Sequence, residues 1–229
     1  MNASADTVPR TPASTFASLR SSREIRDNCL AYGHATSRSK QVHQAEFEHD
    51  GDHRRMRSKL NAASNWTHFV HCELTGEILA EYTLVSSTFT IKCLNTYGFG
   101  LVSSNREGTK RYFHFDGLGS TVALTDASEN ITDTYSWTAF GNLDASTGSS
   151  VNPYRYVGQW GYYDDGAMGC PFDMLLLGVR YYVPEYGRFL TWDPVSAVNL
   201  YDYTRNAPTM MVDPEGTLPF LIVGIIVIG

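Results

Sequence analysis

The chain has 229 residues, a formal net charge of −6 at pH 7 and an aromatic content of 13%, including 14 tyrosines. The acidic balance argues against a general nucleic-acid footprint. Cys29, Cys72, Cys93 and Cys170 form no CxxC pair and fit no zinc spacing, so no metal site is expected from them and small core cysteines are the default. Abundant tyrosine and glycine instead suit many short strands joined by tight turns.

Residues 1–44 read as a polar leader, poorly ordered apart from a short helix over SSREIRDNCLAYGH, with Ser22 as its cap and Glu24 in its first turn. The first sixty residues carry more Lys and Arg than Asp and Glu while the remainder is acidic, which suits a solvated leader. MNASADTVPRTPAS lacks an apolar run, so no secretory signal is visible. From Ala45 a strand–turn–strand grammar begins. In AEFEHDGDHRRMR, Phe47 and His49 alternate to one face and Asp50-Gly51 marks a hairpin turn. THFVHCELTGEILAEYTL repeats the form around Thr75-Gly76, and TFTIKCLNTYGFGLVSSN around Tyr97-Gly98. His49 and His53 flank a turn rather than a helix, so their spacing does not indicate a metal. Ser120 lies in GLGST, not in a nucleophile-elbow motif.

RYFHFDGLGSTVALTDASENITDTYSWTAFGNL continues with further hairpins, Asn130 being the residue expected to tolerate the left-handed turn conformation. PYRYVGQWGYYDDG follows, and then an irregular loop near Cys170 and Pro171. The stretch GVRYYVPEYGRFLTWDPVSAVNLYDYTRNAPTMMVDPEG contains two Asp-Pro dipeptides, Asp193-Pro194 and Asp213-Pro214. Proline removes a ladder donor, so each pair marks a place where a sheet must stop or turn.

This stretch resembles the RHS repeat-associated core of RHS/YD-repeat proteins. The resemblance rests on Arg180, Tyr181, Tyr182, Gly187, Arg188, Phe189, Leu190, Asp193-Pro194, Asn199, Leu200, Tyr201, Tyr203, Asn206, Pro208, Asp213-Pro214 and Gly216. The unit around Asp116, Leu118, Gly119, Ser120, Leu124, Thr125, Asp126, Tyr135, Phe140 and Gly141 is similar to the element that opens that core. The hairpins of residues 45–111 look like degenerate YD repeats, residues 112–216 like the core, and residues 217–229 form an apolar tail. Departures from the family pattern are Ser196 in place of glycine, Val183 in place of aspartate and a shortened interval before Asn199.

The resemblance implies a mostly β fold. YD-repeat hairpins would build an extended, curled antiparallel sheet, part of an RHS shell, with a few short helices or turns. The chain is too short to close such a shell and is expected to be a C-terminal fragment or a degenerate member with open sheet edges. The implied function is structural: closing the C-terminal end of a β-shell that encapsulates a toxin or effector. Aspartate-dependent self-cleavage after DPEG would accompany it. Two carboxylates held close together cannot both ionise cheaply, so one can act as acid and the other as base. Asp193 and Asp213 are the implied pair, Arg188 their charge partner, and Gly216, Thr217 and Leu218 surround the cut. The alternatives are a cell-surface adhesion or carbohydrate-binding module using Trp160 and Trp192, or an inert remnant of a longer gene. No cofactor is expected. The implied partners are the remainder of a shell, a C-terminal toxin cargo and an immunity protein, and the family suggests a secreted or cell-surface location. The tail LPFLIVGIIVIG is about half of the roughly 20 residues a membrane span needs, so it reads either as a buried strand or as the start of a membrane-active segment.

Overall fold

The computed structural model describes residues 45–60, 63, 65–170, 173–195 and 199–221. The helix expected around Ser22, the residues at Pro171 and Ser196, and the tail beyond Leu221 lie outside them. Among the described residues there is no α-helix, only three short 3-10 turns.

Ten strands form one antiparallel sheet in sequence order: β1 (Ala45–His49), β2 (Arg55–Leu60), β3 (Thr67–His71), β4 (Ile78–Val85), β5 (Thr88–Gly98), β6 (Gly100–Arg106), β7 (Thr109–Phe115), β8 (Thr121–Thr125), β9 (Ile131–Trp137) and β10 (Leu143–Thr147). Each strand pairs with the next, so among the described residues β1 and β10 are the edges and the sheet does not close. The mostly antiparallel β architecture is the one the sequence implies. The boundary expected between repeats and core falls inside β7, and the sheet runs through it without a break.

Local chemistry explains the turns. Asp50 Oδ1 accepts the amides of Asp52 and Arg54, and Asp126 Oδ1 those of Ser128 and Asn130. Side-chain acceptors of this kind take up amides that the ladder cannot use. The left-handed position in the Asp126 turn is taken by Glu129 (φ 66°) rather than by Asn130. The turn expected at Tyr97-Gly98 lies two residues later. Tyr97 is still paired with Leu101, and the chain reverses through Phe99 with Gly100 at φ 86°.

Period-two alternation brings Phe47, Phe69, Leu101, Phe113, Leu124 and Tyr135 to one face of the sheet. A second layer covers that face. It contains β11 (Tyr163–Asp164), β12 (Leu175–Leu177), β13 (Arg180–Val183) and β14 (Arg188–Phe189) in a four-stranded sheet, then β15 (Met211–Val212) paired with β16 (Phe220–Leu221). Alternation also sorts this layer. Leu176 and Tyr181 join the core against the large sheet, while Leu175, Leu177 and Tyr182 join a second core with Tyr162, Tyr203 and Val212.

One buried ion pair fastens the layers directly, and a second, within the large sheet, does so through a tyrosine. Arg55 of β2 grips Asp165 through two 2.6 Å bonds inside a box of Phe47, Phe69, Tyr163 and Tyr181 rings. Arg106 grips Glu81 at 2.9 and 2.6 Å, and the Tyr163 hydroxyl donates to the same Glu81 carboxylate at 3.2 Å. Such pairs persist in a dry interior only when the geometry is bidentate and the remaining lone pairs are satisfied.

Candidate active site: two aspartates on one arginine

Strand β13 ends the alternation RYYV with Arg180 and Tyr182 on the side away from the large sheet. Arg180 therefore projects under the two Asp-Pro corners. Its Nη2 lies 3.0 Å from Asp193 Oδ2 and 3.3 Å from Asp213 Oδ2. The three side chains are 3%, 7% and 1% exposed, so the contacts are essentially dry. Nε of Arg180 donates to the carbonyl oxygen of Gly216, Nη1 donates to that of Leu200 at 3.4 Å, and the guanidinium lies over the Phe189 ring at 3.6 Å. A planar fork with five donors can hold this many acceptors in one fixed arrangement.

Asp213 is fixed from behind. Its amide donates to the Tyr162 hydroxyl at 2.7 Å, and Tyr162 in turn shares a 2.9 Å hydrogen bond with Tyr203. In front, Asp213 Oδ1 accepts the Thr217 amide at 2.8 Å, and the Gly216 amide donates to the Asp213 carbonyl at 3.1 Å. Gly216 sits at φ 66°, where a Cβ would run into the Leu177 carbonyl, so the turn requires glycine. Asp193 accepts the Val195 amide at 2.8 Å, and its own amide donates to Leu200 O at 3.0 Å. Burial pushes the Asp213 carboxyl above the usual carboxylate range, and neighbouring Asp193 adds to the rise; the Thr217 amide and Arg180 pull against it. Burial also lowers Arg180 from its ordinary value, opposed by both carboxylates.

The peptide group between Gly216 and Thr217 is therefore held at both ends. Its oxygen is on the arginine and its N–H is on Asp213. A cation on a carbonyl oxygen favours negative charge developing there, and a carboxyl beside the nitrogen is placed to exchange a proton with it. A cleft of about 340 Å³ lies alongside, between the Thr75-Gly76 turn and the Pro214–Thr217 turn, and is lined in part by His71, Glu77, Trp160 and Glu215.

Asp193 and Asp213, paired on sequence grounds, converge in space. Arg188 does not join them. It is exposed on β14, where its backbone pairs with Val183 and bridges Asp202, because alternation turns Phe189 inward in its place. Arg180 occupies the position expected for it. The signal was present, since Arg180 shares parity with buried Tyr182, but parity alone does not say what lies on that face. Tyr203 belongs to the stretch that resembles the RHS core, but with no role attached, and Tyr162 carried no sequence signal beyond being a tyrosine. Leu218 is exposed just beyond the held bond. Trp160 meets Phe99 and Phe220 edge to face, at 5.4 and 6.4 Å, so its ring is not an open platform, whereas Trp192 is 70% exposed. No group of His, Cys, Asp and Glu among the described residues could hold a metal ion, and no helix there is long and apolar enough to cross a membrane.

No family model matches the chain. Over 146 residues it is 33% identical to the tRNA3(Ser)-specific nuclease WapA of Bacillus spizizenii, covering 58% of this chain and 6% of that protein. It is 32% identical over 126 residues to the toxin protein Tse5 of Pseudomonas aeruginosa, covering 52% of this chain and 8% of that one. Among solved structures it superposes on a crystal structure of TcdB2-TccC3-Cdc42 with a TM-score of 0.59, at 21% identity over 80% of this chain and 9% of the other. It superposes equally on the Tc holotoxin pore of Photorhabdus luminescens, with a TM-score of 0.58 at 20% identity over 81% of this chain and 9% of the other. At such identities the structural likeness shows a shared fold. The chain spans less than a tenth of each of these proteins. Similarity to short segments of several toxins, together with the core motif between the two Asp-Pro corners, supports an RHS-related family for this chain.

Proposed function

We propose that this segment is the core of an RHS-type toxin, that it closes the C-terminal end of a β-shell, and that it cuts its own chain between Gly216 and Thr217. The observation that carries the reading is the double hold on that peptide group, with its oxygen on Arg180 and its N–H on Asp213. In the reaction a water oxygen adds to the Gly216 carbonyl carbon while Asp193 takes a proton from that water. Negative charge collects on the carbonyl oxygen beside the Arg180 guanidinium. Asp213, whose carboxyl burial favours the protonated form, gives its proton to the Thr217 nitrogen as the C–N bond breaks. The products are a Gly216 carboxylic acid, whose proton passes to the Thr217 amine to leave a carboxylate and an ammonium, and transfer of the Asp193 proton to Asp213 restores the starting pair. The bond one residue pair further on, Leu218-Pro219, is a tertiary amide without this grip and is not the site.

The cut would separate the core from whatever follows it. One structural neighbour is described as lacking a hypervariable C-terminal region, which suits a core followed by exchangeable cargo. The partners in this reading are the upstream strands of the shell, which would add to β1, a toxin cargo with its immunity protein, and a membrane surface for the apolar tail. The test is expression with a C-terminal tag, followed by mass measurement of the fragments. A single N-terminal product ending at Gly216 is expected, absent in Asp213→Asn and in Asp193→Asn and slowed about 10²- to 10³-fold in Arg180→Ala. A wild-type chain that stays intact would leave only the structural role.

A further inference from the structure

We infer that β16 is a recognition strand for the self-cutting reaction: Phe220 and Leu221 dock the chain on the far side of the bond and so position it for attack. The inference rests on the cleavage reading above. Residues 213–219 form a loop whose two ends are joined by the β15–β16 pair, Val212 opposite Phe220 and Met211 opposite Leu221. That loop contains both Asp213 and the Gly216–Thr217 bond. Its first end is anchored, because Val212 is fully buried in the second core and the Asp213 amide is on Tyr162. Its second end has no such burial. Phe220 is 46% exposed, and its ring meets the Trp160 ring edge to face at 6.4 Å.

Trp160 is itself rigidly seated. Its indole N–H donates to Leu118 O at 3.2 Å, its ring abuts Phe99, and a Cβ on Gly119 would come within 2.7 Å of its Cδ1. The body thus offers a strand edge and an aromatic face to an extended peptide carrying a large ring at the fourth position after the cut. Strand addition gives main-chain hold and the side-chain contact gives register. Restricting the Thr217 side in this way is what keeps a reacting bond near its attack geometry. A two-residue pair is too small to persist alone. Once the bond is cut the effective concentration of β16 falls, and the new N-terminus at Thr217 leaves its dock.

The test compares the full chain with Phe220→Ser, Leu221→Pro and Phe220→Trp. Cutting is expected to slow about tenfold in Phe220→Ser and Leu221→Pro, the size of effect an aromatic contact and a lost ladder bond can have on a barrier, and to persist in Phe220→Trp. In an Asp193→Asn background, where no cut occurs, the Thr217 amide should exchange its hydrogen about tenfold faster when Phe220 is serine, with the melting temperature unchanged. Wild-type rates in both Phe220→Ser and Leu221→Pro, with unchanged Thr217 exchange, would overturn the recognition role while leaving the cleavage reading intact. A wild-type chain that is never cut would overturn that reading and this inference together.

Discussion

The large sheet and the layer folded against it are built by different forces. In the sheet every strand pairs with its neighbour in sequence, so each hairpin closes locally and the backbone ladder provides the order. One face is buried, yet the other leaves Leu79, Phe89, Ile91, Val102 and Ile131 exposed. In the covering layer the strands are only two to four residues long and side chains do the connecting. Tyrosine hydroxyls tie it together: Tyr156 donates to Ala139 O at 2.8 Å, Tyr182 to Phe140 O at 2.7 Å, and Tyr154 accepts from Asn95 at 2.7 Å. The sheet can tolerate change along its length. The inner layer depends on a few polar contacts that cannot be left half made.

That contrast is most easily broken at the Arg55–Asp165 pair. Asp165→Asn leaves a guanidinium buried among four aromatic rings without its counter-charge, and urea unfolding should show a loss of about 3–5 kcal/mol. The double variant Arg55→Met with Asp165→Leu should recover most of it, because the desolvation cost disappears with the charges.

A smaller effect sharpens the comparison through pH. Burial pushes the Asp164 carboxyl of the inner layer up to about 6, from an ordinary 3.8. The folded state then holds that proton more tightly than the unfolded state, so stability is lost as pH rises from about 4 to about 6. Burial lowers His49 on the sheet edge to about 4, from an ordinary 6.5, with Arg55 adding to the shift. Its neutral form is the favoured one, so stability is lost as pH falls from 6.5 towards 4. The two slopes oppose each other in one window. Asp164→Asn should therefore expose the histidine's slope, and its urea midpoint should drop on acidification from pH 6 to pH 4 relative to wild type, by an amount corresponding to about 2 kcal/mol.

The smallest effect belongs to the outer face. Phe89→Thr near the β4–β5 turn keeps β propensity but removes a half-exposed ring and its 4.5 Å contact with Tyr82, so its unfolding free energy should fall by only about 0.5–1 kcal/mol.

The strands were legible in the linear order of residues, because side-chain alternation and hairpin chemistry such as Asp50-Gly51 and Thr75-Gly76 act over a few residues. The turn after β5 was misplaced by two residues, since Tyr97 and Gly98 themselves fit a turn and only the pairing with β6 shows the ladder continuing through them. Asp193 and Asp213 were legible as a pair only through the resemblance to the RHS core, whereas the prolines after them marked no more than two chain reversals. The partner that joins them was not. Arg180 and Arg188 carry the same charge eight positions apart, and which of them meets the carboxylates depends on the face each strand turns inward once β13 and β14 pack beneath the Asp-Pro corners. Patterning over a few residues makes the ribbons, but contacts such as Arg180 with Asp213, or Asp213 with Tyr162, span 33 and 51 residues. A charge and its acceptors that far apart along the chain acquire their meaning only when packing brings them into one dry space.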